Sequence, residues 1–194
     1  MPEPRPSNEV VILTAAQMSR TITRIAHEIL EKNPGEQSLA VVGIHTRGAF
    51  LGARIHKLLC EVGEREYAAG NLDISFYRDD VSARGAVGVI PNTPHPVVNG
   101  TDLPFGIDGI TVVLVDDVLY TGRTIRAAID ALFDYGRPAA VQLAALVDRG
   151  HRELPIRPDY VGKNLPTALR ERISVRLKEC DGVDEVVLVR SKEA

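Results

Sequence analysis

Residues 112–124, VVLVDDVLYTGRT, carry an apolar run straight into Asp116 and Asp117, and then into Thr121, Gly122, Arg123 and Thr124. Carboxylates repel a phosphate, but they suit sugar hydroxyls and the positive charge of a transition state. Hydroxyls, a glycine that permits close backbone approach and the free amides of a helix N-terminus suit a phosphate. One short segment thus offers two chemistries side by side. Phosphate belongs on Thr121–Thr124, and ribose on the two aspartates. The plainer alternative is a solvated strand-to-helix turn, with Asp and Thr as ordinary helix caps.

The elements that must position these residues are legible from periodicity. Thr14 is a candidate N-cap for a helix over 14–33, where Met18, Ile22, Ile25 and Ile29 recur at helical spacing before Asn33-Pro34-Gly35 stops it. LAVVGI (39–44) reads as a buried strand, followed by the turn Thr46-Arg47-Gly48 and a helix over 49–62. NLDISFY (71–77) alternates like a half-exposed strand. Residues 79–108 lose periodicity and fill with Gly and Pro, which predicts a lid or binding loop. ITVVLV (110–115) and VQLAALV (141–147) are further buried strands around an amphipathic helix from Thr124, and short strands are expected near 159–162, 173–177 and 185–189. Strands and helices in alternation predict an α/β fold with a mostly parallel central sheet covered on both faces. Ligands of such sheets bind beyond the carboxyl ends of the strands. The charged turns 45–48, 116–124 and 148–152 each follow a strand, so parallel neighbours would bring all three to one edge. A phosphoacceptor domain also sets paired acids after an apolar strand, but near its N-terminus, whereas about 110 residues precede this pair.

The 194 residues, 44% hydrophobic and 25% charged, suit one soluble globular domain. No run approaches the ~20 apolar residues of a membrane span, and MPEPRPSNE lacks the apolar core of a secretory signal, so a cytoplasmic location is expected. Cys60 and Cys180 are far apart and are expected to be reduced structural thiols. His27, His45, His95 and His151 lack ligand spacing, so no zinc site is expected from them.

An apolar strand, two acids and then TG-x-T resembles the motif of type I phosphoribosyltransferases. GIHTRG (43–48), LDISFYRDD (72–80), VDDVLYTGRTIRAAIDAL (115–132) and LVDRGHRELPIRPDYVGKNLP (146–166) resemble, in matching order, the family of bifunctional pyrimidine operon regulators and uracil phosphoribosyltransferases. The resemblance implies a type I phosphoribosyltransferase fold in one domain, 1–194, with a flexible lid over about 79–108. It also implies a small hood built from 151–194 and the N-terminal segment. It implies transfer of phosphoribose from 5-phosphoribosyl 1-diphosphate to uracil, giving UMP and diphosphate. Asp116 and Asp117 are then the catalytic pair. Val118, Leu119, Tyr120, Thr121, Gly122, Arg123 and Thr124 bind the phosphoribosyl group. Thr46, Arg47 and Gly48, with Arg78 and Arg84 from the lid, meet the diphosphate. Arg149 and the backbone of Ile173 meet the base. Mg²⁺ rides mainly on substrate oxygens, without dedicated protein ligands. A homodimer or higher homo-oligomer is expected.

Family members also bind the leader mRNA of the pyrimidine operon, with uridine nucleotides raising affinity. Residues 149–178 carry eight Lys/Arg against three acids, in a chain of net charge −3. Arg152, Arg157 and Lys163 in that segment, joined across a dimer by Arg24 and His27, are the expected RNA contacts. Against this stand the overall negative charge and His45, where the family commonly has lysine. An RNA-binding attenuator without useful catalysis, a basic rim that only attracts anionic substrate, and a hypoxanthine-type enzyme remain open alternatives.

Overall fold

The computed structural model describes residues 6–35, 38–75, 77 and 100–190. Five parallel strands form the central sheet: β2 (Leu39–Ile44), β3 (Ala68–Leu72), β4 (Thr111–Leu119), β5 (Ala140–Asp148) and β6 (Tyr160–Asn164), in the order β3-β2-β4-β5-β6. A second, antiparallel sheet has the order β1-β8-β7, from β1 (Glu9–Leu13), β7 (Arg172–Arg176) and β8 (Glu185–Val189). The helices are α1 (Ala15–Lys32), α2 (Arg47–Gly63), α3 (Arg123–Phe133) and the single turn α4 (Lys178–Asp181) between β7 and β8. The small sheet stands where a hood was expected, with β1 as its N-terminal strand, but of the expected span 151–194 the strand β6 joins the central sheet instead.

Alternation along the buried strands builds two cores. Val41, Val113, Val115, Ala144 and Leu146 face α1, α2 and the hood. Val42, Val112, Leu114, Leu143 and Ala145 face α3. Met18, Ile22, Ile25 and Ile29 all lie buried on one stripe of α1, each worth about 1.5–3 kcal/mol of transfer free energy. Thr14 is the N-cap of this helix, as expected, and the structure adds a reciprocal bond with Gln17.

The strand order fixes where a ligand can enter. The β2–α2–β3 crossover steps one way from the centre, and β4–α3–β5 steps the other way on the opposite face. The direction of winding therefore reverses between β2 and β4, and a crevice opens beyond their carboxyl ends.

Several sequence expectations change here. Only the first two residues of the alternating stretch 71–77 lie in a strand: β3 ends at Leu72, and the Asp73 carboxylate accepts from the Ser75 backbone N–H at 2.8 Å and the Ser75 hydroxyl at 2.5 Å, which turns the chain. Of the expected lid, residues 79–99, with Arg78, lie outside the described residues, and so does Arg84 within them. Its last part is anchored: Asp102 bridges Asn71 and Ile107 is 1% exposed. Finally, β4 does not stop at Val115 but runs on to Leu119, so both aspartates stand on the strand itself.

Candidate active site

Asp116 and Asp117 belong to the carboxyl end of β4, which lies between β2 and β5. Asp116 is 6% exposed, and one of its oxygens accepts the Asp117 backbone N–H at 2.9 Å. Asp117 accepts from the Val118 N–H at 2.9 Å. Burial pushes the Asp117 carboxyl above its ordinary value, opposed by hydrogen bonds from Asp116 and Val118 and by the charge of Arg47.

Two adjoining clefts meet at Asp117. One, of about 270 Å³, is lined by His45, Thr46, Arg47, Ile74, Asp116, Asp117, Val118 and Thr124. The other, of about 310 Å³, lies under the hood against Arg172, Ile173, Ser174 and Val175. Arg47 and Asp117 line both.

The turn after β2 reaches the acids because α2 packs very closely on β4. A Cβ on Gly48 would stand 2.4 Å from the Val115 carbonyl oxygen and 3.3 Å from the Asp116 Cα. Gly48 is thus required by helix-on-strand packing, a role its place in a TRG turn does not announce. Arg47, at the start of α2, reaches across to the hood and pairs with Asp181 at 3.0 Å. Its Nε is buried without a partner among the described residues. Arg54, two turns along, holds Glu179 at 2.6 Å and Asp184 at 2.7 Å.

The segment 118–124 is clamped from the turn after β5. Gly122 caps α3 at φ +92°, a left-handed conformation that favours glycine, and no side chain among the described residues caps the helix. Glu153 and Leu154 donate their backbone N–H groups to the Thr121 carbonyl at 3.0 and 3.1 Å. Arg152 donates to the Tyr120 carbonyl at 2.8 Å, to the Ile156 carbonyl at 2.9 Å and to the Asp148 carboxylate at 2.5 Å. The three charged turns therefore do meet on one sheet edge.

The individual residues divide. Thr46, Arg47, Asp116, Asp117, Val118, Thr124 and Ile173 line the clefts. Leu119 turns into the core at 1% exposure. Arg123 is exposed and pairs with Glu153 at 2.7 Å. Arg149 is 6% exposed and is not among the cleft-lining residues. Its guanidinium stacks 4.1 Å from the Tyr120 ring centroid and donates to the Ala168 carbonyl at 3.3 Å. Arg152 is committed to the loop as described. Arg24 donates to the Val161 and Gly162 carbonyls at 2.9 and 2.7 Å and pairs with Glu28, so it ties α1 to β6 within one chain. His27 and Arg157 are exposed, and Lys163 is half-buried. Asp181, Ser174 and Arg152 are parts of the site's surroundings that spacing alone does not reveal, because their partners are distant in sequence.

A model of the phosphoribosyl transferase domain matches residues 11–177, which takes in both sides of the cleft. The chain belongs to the phosphoribosyltransferase family. Within this family it is 59% identical over 184 residues to a protein of Roseiflexus sp. named bifunctional protein PyrR, covering 94% of this chain and 96% of that one. It is 55% identical over 183 residues to the protein of that name from Chloroflexus aurantiacus, covering 94% and 96%. Among solved structures, this phosphoribosyltransferase-family chain shares its fold with a hypoxanthine phosphoribosyltransferase of Staphylococcus aureus, at TM-score 0.66, 19% identity and coverage of 93% and 92%.

Proposed function

We propose that this protein transfers phosphoribose from 5-phosphoribosyl 1-diphosphate to uracil, forming UMP and diphosphate, and that UMP-dependent binding to the pyrimidine leader mRNA is its second activity. The observation that carries the first part is that Asp117 lines both clefts. The breaking and forming bonds join the sugar to a phosphate on one side and to a base on the other. A carboxylate common to both compartments is nearest the carbon where positive charge develops, and fixed charge aimed there lowers the barrier. Asp116 serves the ribose hydroxyls. The uncapped N-terminus of α3 with Thr121 and Thr124 takes the 5′-phosphate. Arg47, with Thr46 and the adjoining backbone, takes the diphosphate as it leaves, and must exchange Asp181 for it. The backbone at Ile173 meets the edge of uracil under the hood. Arg149 acts behind Tyr120, holding the loop.

Mg²⁺ fits this donor set, since Asp116 and Asp117 present hard carboxylate oxygens beside the space for ribose and diphosphate. When bound with substrate it neutralises diphosphate charge. The test of the reaction is UMP formation with uracil, with hypoxanthine and orotate in parallel. A preference for hypoxanthine would overturn the assignment of the base.

Support for the regulatory half comes from the relatives' name, which includes the word bifunctional, and from the basic segment 149–178. With Arg24 and Arg152 committed to structural bonds, Arg157, Lys163 and His27 remain as the side chains for RNA. Filter binding to the organism's pyrimidine leader and to a scrambled control, with and without UMP, tests it. Equal affinity for both RNAs, unmoved by UMP, would leave only a basic rim.

A further inference from the structure

Far from the clefts, the C-terminal half of α2 carries His56 and Cys60, four residues apart and so on one face of the helix. The chain leaves α2 at Gly63 and brings Glu66 back over that face before β3 begins. The Cys60 sulfur lies 3.4 Å from His56 Nε2 and 3.7 Å from Glu66 Oε2. One ligand atom from each of the three lies within 4.8 Å of the others. Ion-to-ligand distances of about 2.3 Å for sulfur and about 2.0 Å for nitrogen or oxygen, at tetrahedral angles, set neighbouring donors roughly 3.3–3.6 Å apart. The separation of the sulfur from His56 falls within that spacing, and the one from exposed Glu66 is about 0.1 Å beyond it, within reach of a small side-chain rotation.

We propose that His56, Cys60 and Glu66 form a site for a borderline-soft divalent cation of the zinc type. Imidazole, thiolate and carboxylate together select such an ion over Mg²⁺ or Ca²⁺, which take oxygen. The Tyr67 carbonyl oxygen, 2.8 Å from His56 Nε2, stands closer to it than two ligands of one ion would, so water completes the coordination. Without an ion, Nε2 carries the proton and donates it to that carbonyl. On binding, the imidazole proton moves to Nδ1, Nε2 gives its lone pair to the ion, and the Cys60 proton is released to solvent. No oxidant or reductant is needed.

The site would pin the end of α2 to the strand that follows it. Arg47 and Cys60 are thirteen residues apart on α2, about 20 Å along its axis at 1.5 Å per residue. The ion is therefore separate from Mg²⁺ at the reaction centre. The cysteine count alone passes over it, because Cys60 and Cys180 are unrelated and the partner is a histidine one helical turn away.

The experiment titrates the full-length protein with Co²⁺ alone and reads its visible and near-ultraviolet absorption, then displaces Co²⁺ with Zn²⁺. Binding at the proposed site gives the sulfur-to-cobalt charge-transfer band and the intense visible bands of four-coordinate cobalt. Cys60→Ser must abolish the charge-transfer band, while Cys180→Ser keeps it. His56→Gln and Glu66→Gln should weaken the affinity at least about 10–100-fold. Because Glu66 is exposed, its substitution leaves folding unthreatened. Asp117→Asn should leave the spectrum unchanged, which separates this site from cation binding at the clefts. A six-coordinate spectrum without charge transfer, or an unaltered band in Cys60→Ser, overturns the proposal.

Discussion

Replacing Gly48 with alanine perturbs the contact that joins the two halves of the cleft. The added Cβ would sit 2.4 Å from the Val115 carbonyl oxygen, whereas ordinary contact begins at 3.4 Å. The obstacle is backbone on both sides, so no rotamer change relieves it. Either α2 moves away from β4 by about 1 Å or the strand bends by as much, and overpacking of this kind costs about 1–3 kcal/mol. For a chain of this size each kcal/mol lowers Tm by about 2–4 °C, so thermal unfolding should fall by about 2–12 °C. The same 1 Å separates Thr46 and Arg47 from Asp116 and Asp117, and misplacement on that scale costs on the order of 100-fold in rate. kcat/KM for the sugar diphosphate should drop accordingly, measured by UMP formation on folded protein below the new Tm. Gly106→Ala is the control, since none of the described residues lies within 4 Å of the position its Cβ would take. If Gly48→Ala matched the wild type in both Tm and kcat/KM, the packing argument and the cleft geometry built on it would be wrong.

Asp117→Asn should lower kcat more than it raises KM, because the charge is needed in the transition state. Its effect on stability should have the opposite sign: burial raises the Asp117 carboxyl's folded value, so ionisation costs stability as pH rises through that value. The variant should therefore melt higher near pH 7, with the advantage vanishing below the unfolded value of about 3.9, by differential scanning at several pH values. In the hood, Arg54's hydrogen bond lowers the Glu179 carboxyl, while at Asp184 burial pulls upward and is outweighed by hydrogen bonds from Arg54 and the Lys178 backbone. That stability is present above the unfolded values near 4 and is lost as pH falls through the lower folded ones. Arg54→Met should cost about 1–2 kcal/mol at pH 7, discounted for partial exposure, and less at pH 3 in urea unfolding. Lys163→Ala with Arg157→Ala should weaken leader RNA binding and flatten its salt dependence with UMP synthesis intact, whereas Arg152→Ala should reduce synthesis by loosening the 120–121 carbonyls.

The sequence by itself determined the elements whose side chains meet near neighbours. Helical spacing in α1 and α3, the continuous apolar runs of β2, β4 and β5, and the acid pair ahead of TGRT depend on contacts within a few residues or on burial of whole faces. Both leave a period in the chain. It also determined that turns 45–48, 116–124 and 148–152 would share an edge once the strands were parallel neighbours. It misjudged 71–77, where an alternating pattern matched a strand but Asp73 found a closer partner in Ser75 and turned the chain. It named Arg24 and Arg152 as RNA contacts from their charge, since charge is visible in a sequence and commitment is not. Besides the carboxylates of Glu28 and Asp148, their acceptors are carbonyls of β6 and of the 120 and 156 turns, groups every residue carries and no composition reveals. Only the tertiary structure decided that Gly48 serves packing, that Arg47 rests on Asp181, and that Asp117 alone of the acid pair faces both clefts. Each of these depends on how two distant elements approach, and a strand that alternates its side chains sends adjacent aspartates to different places.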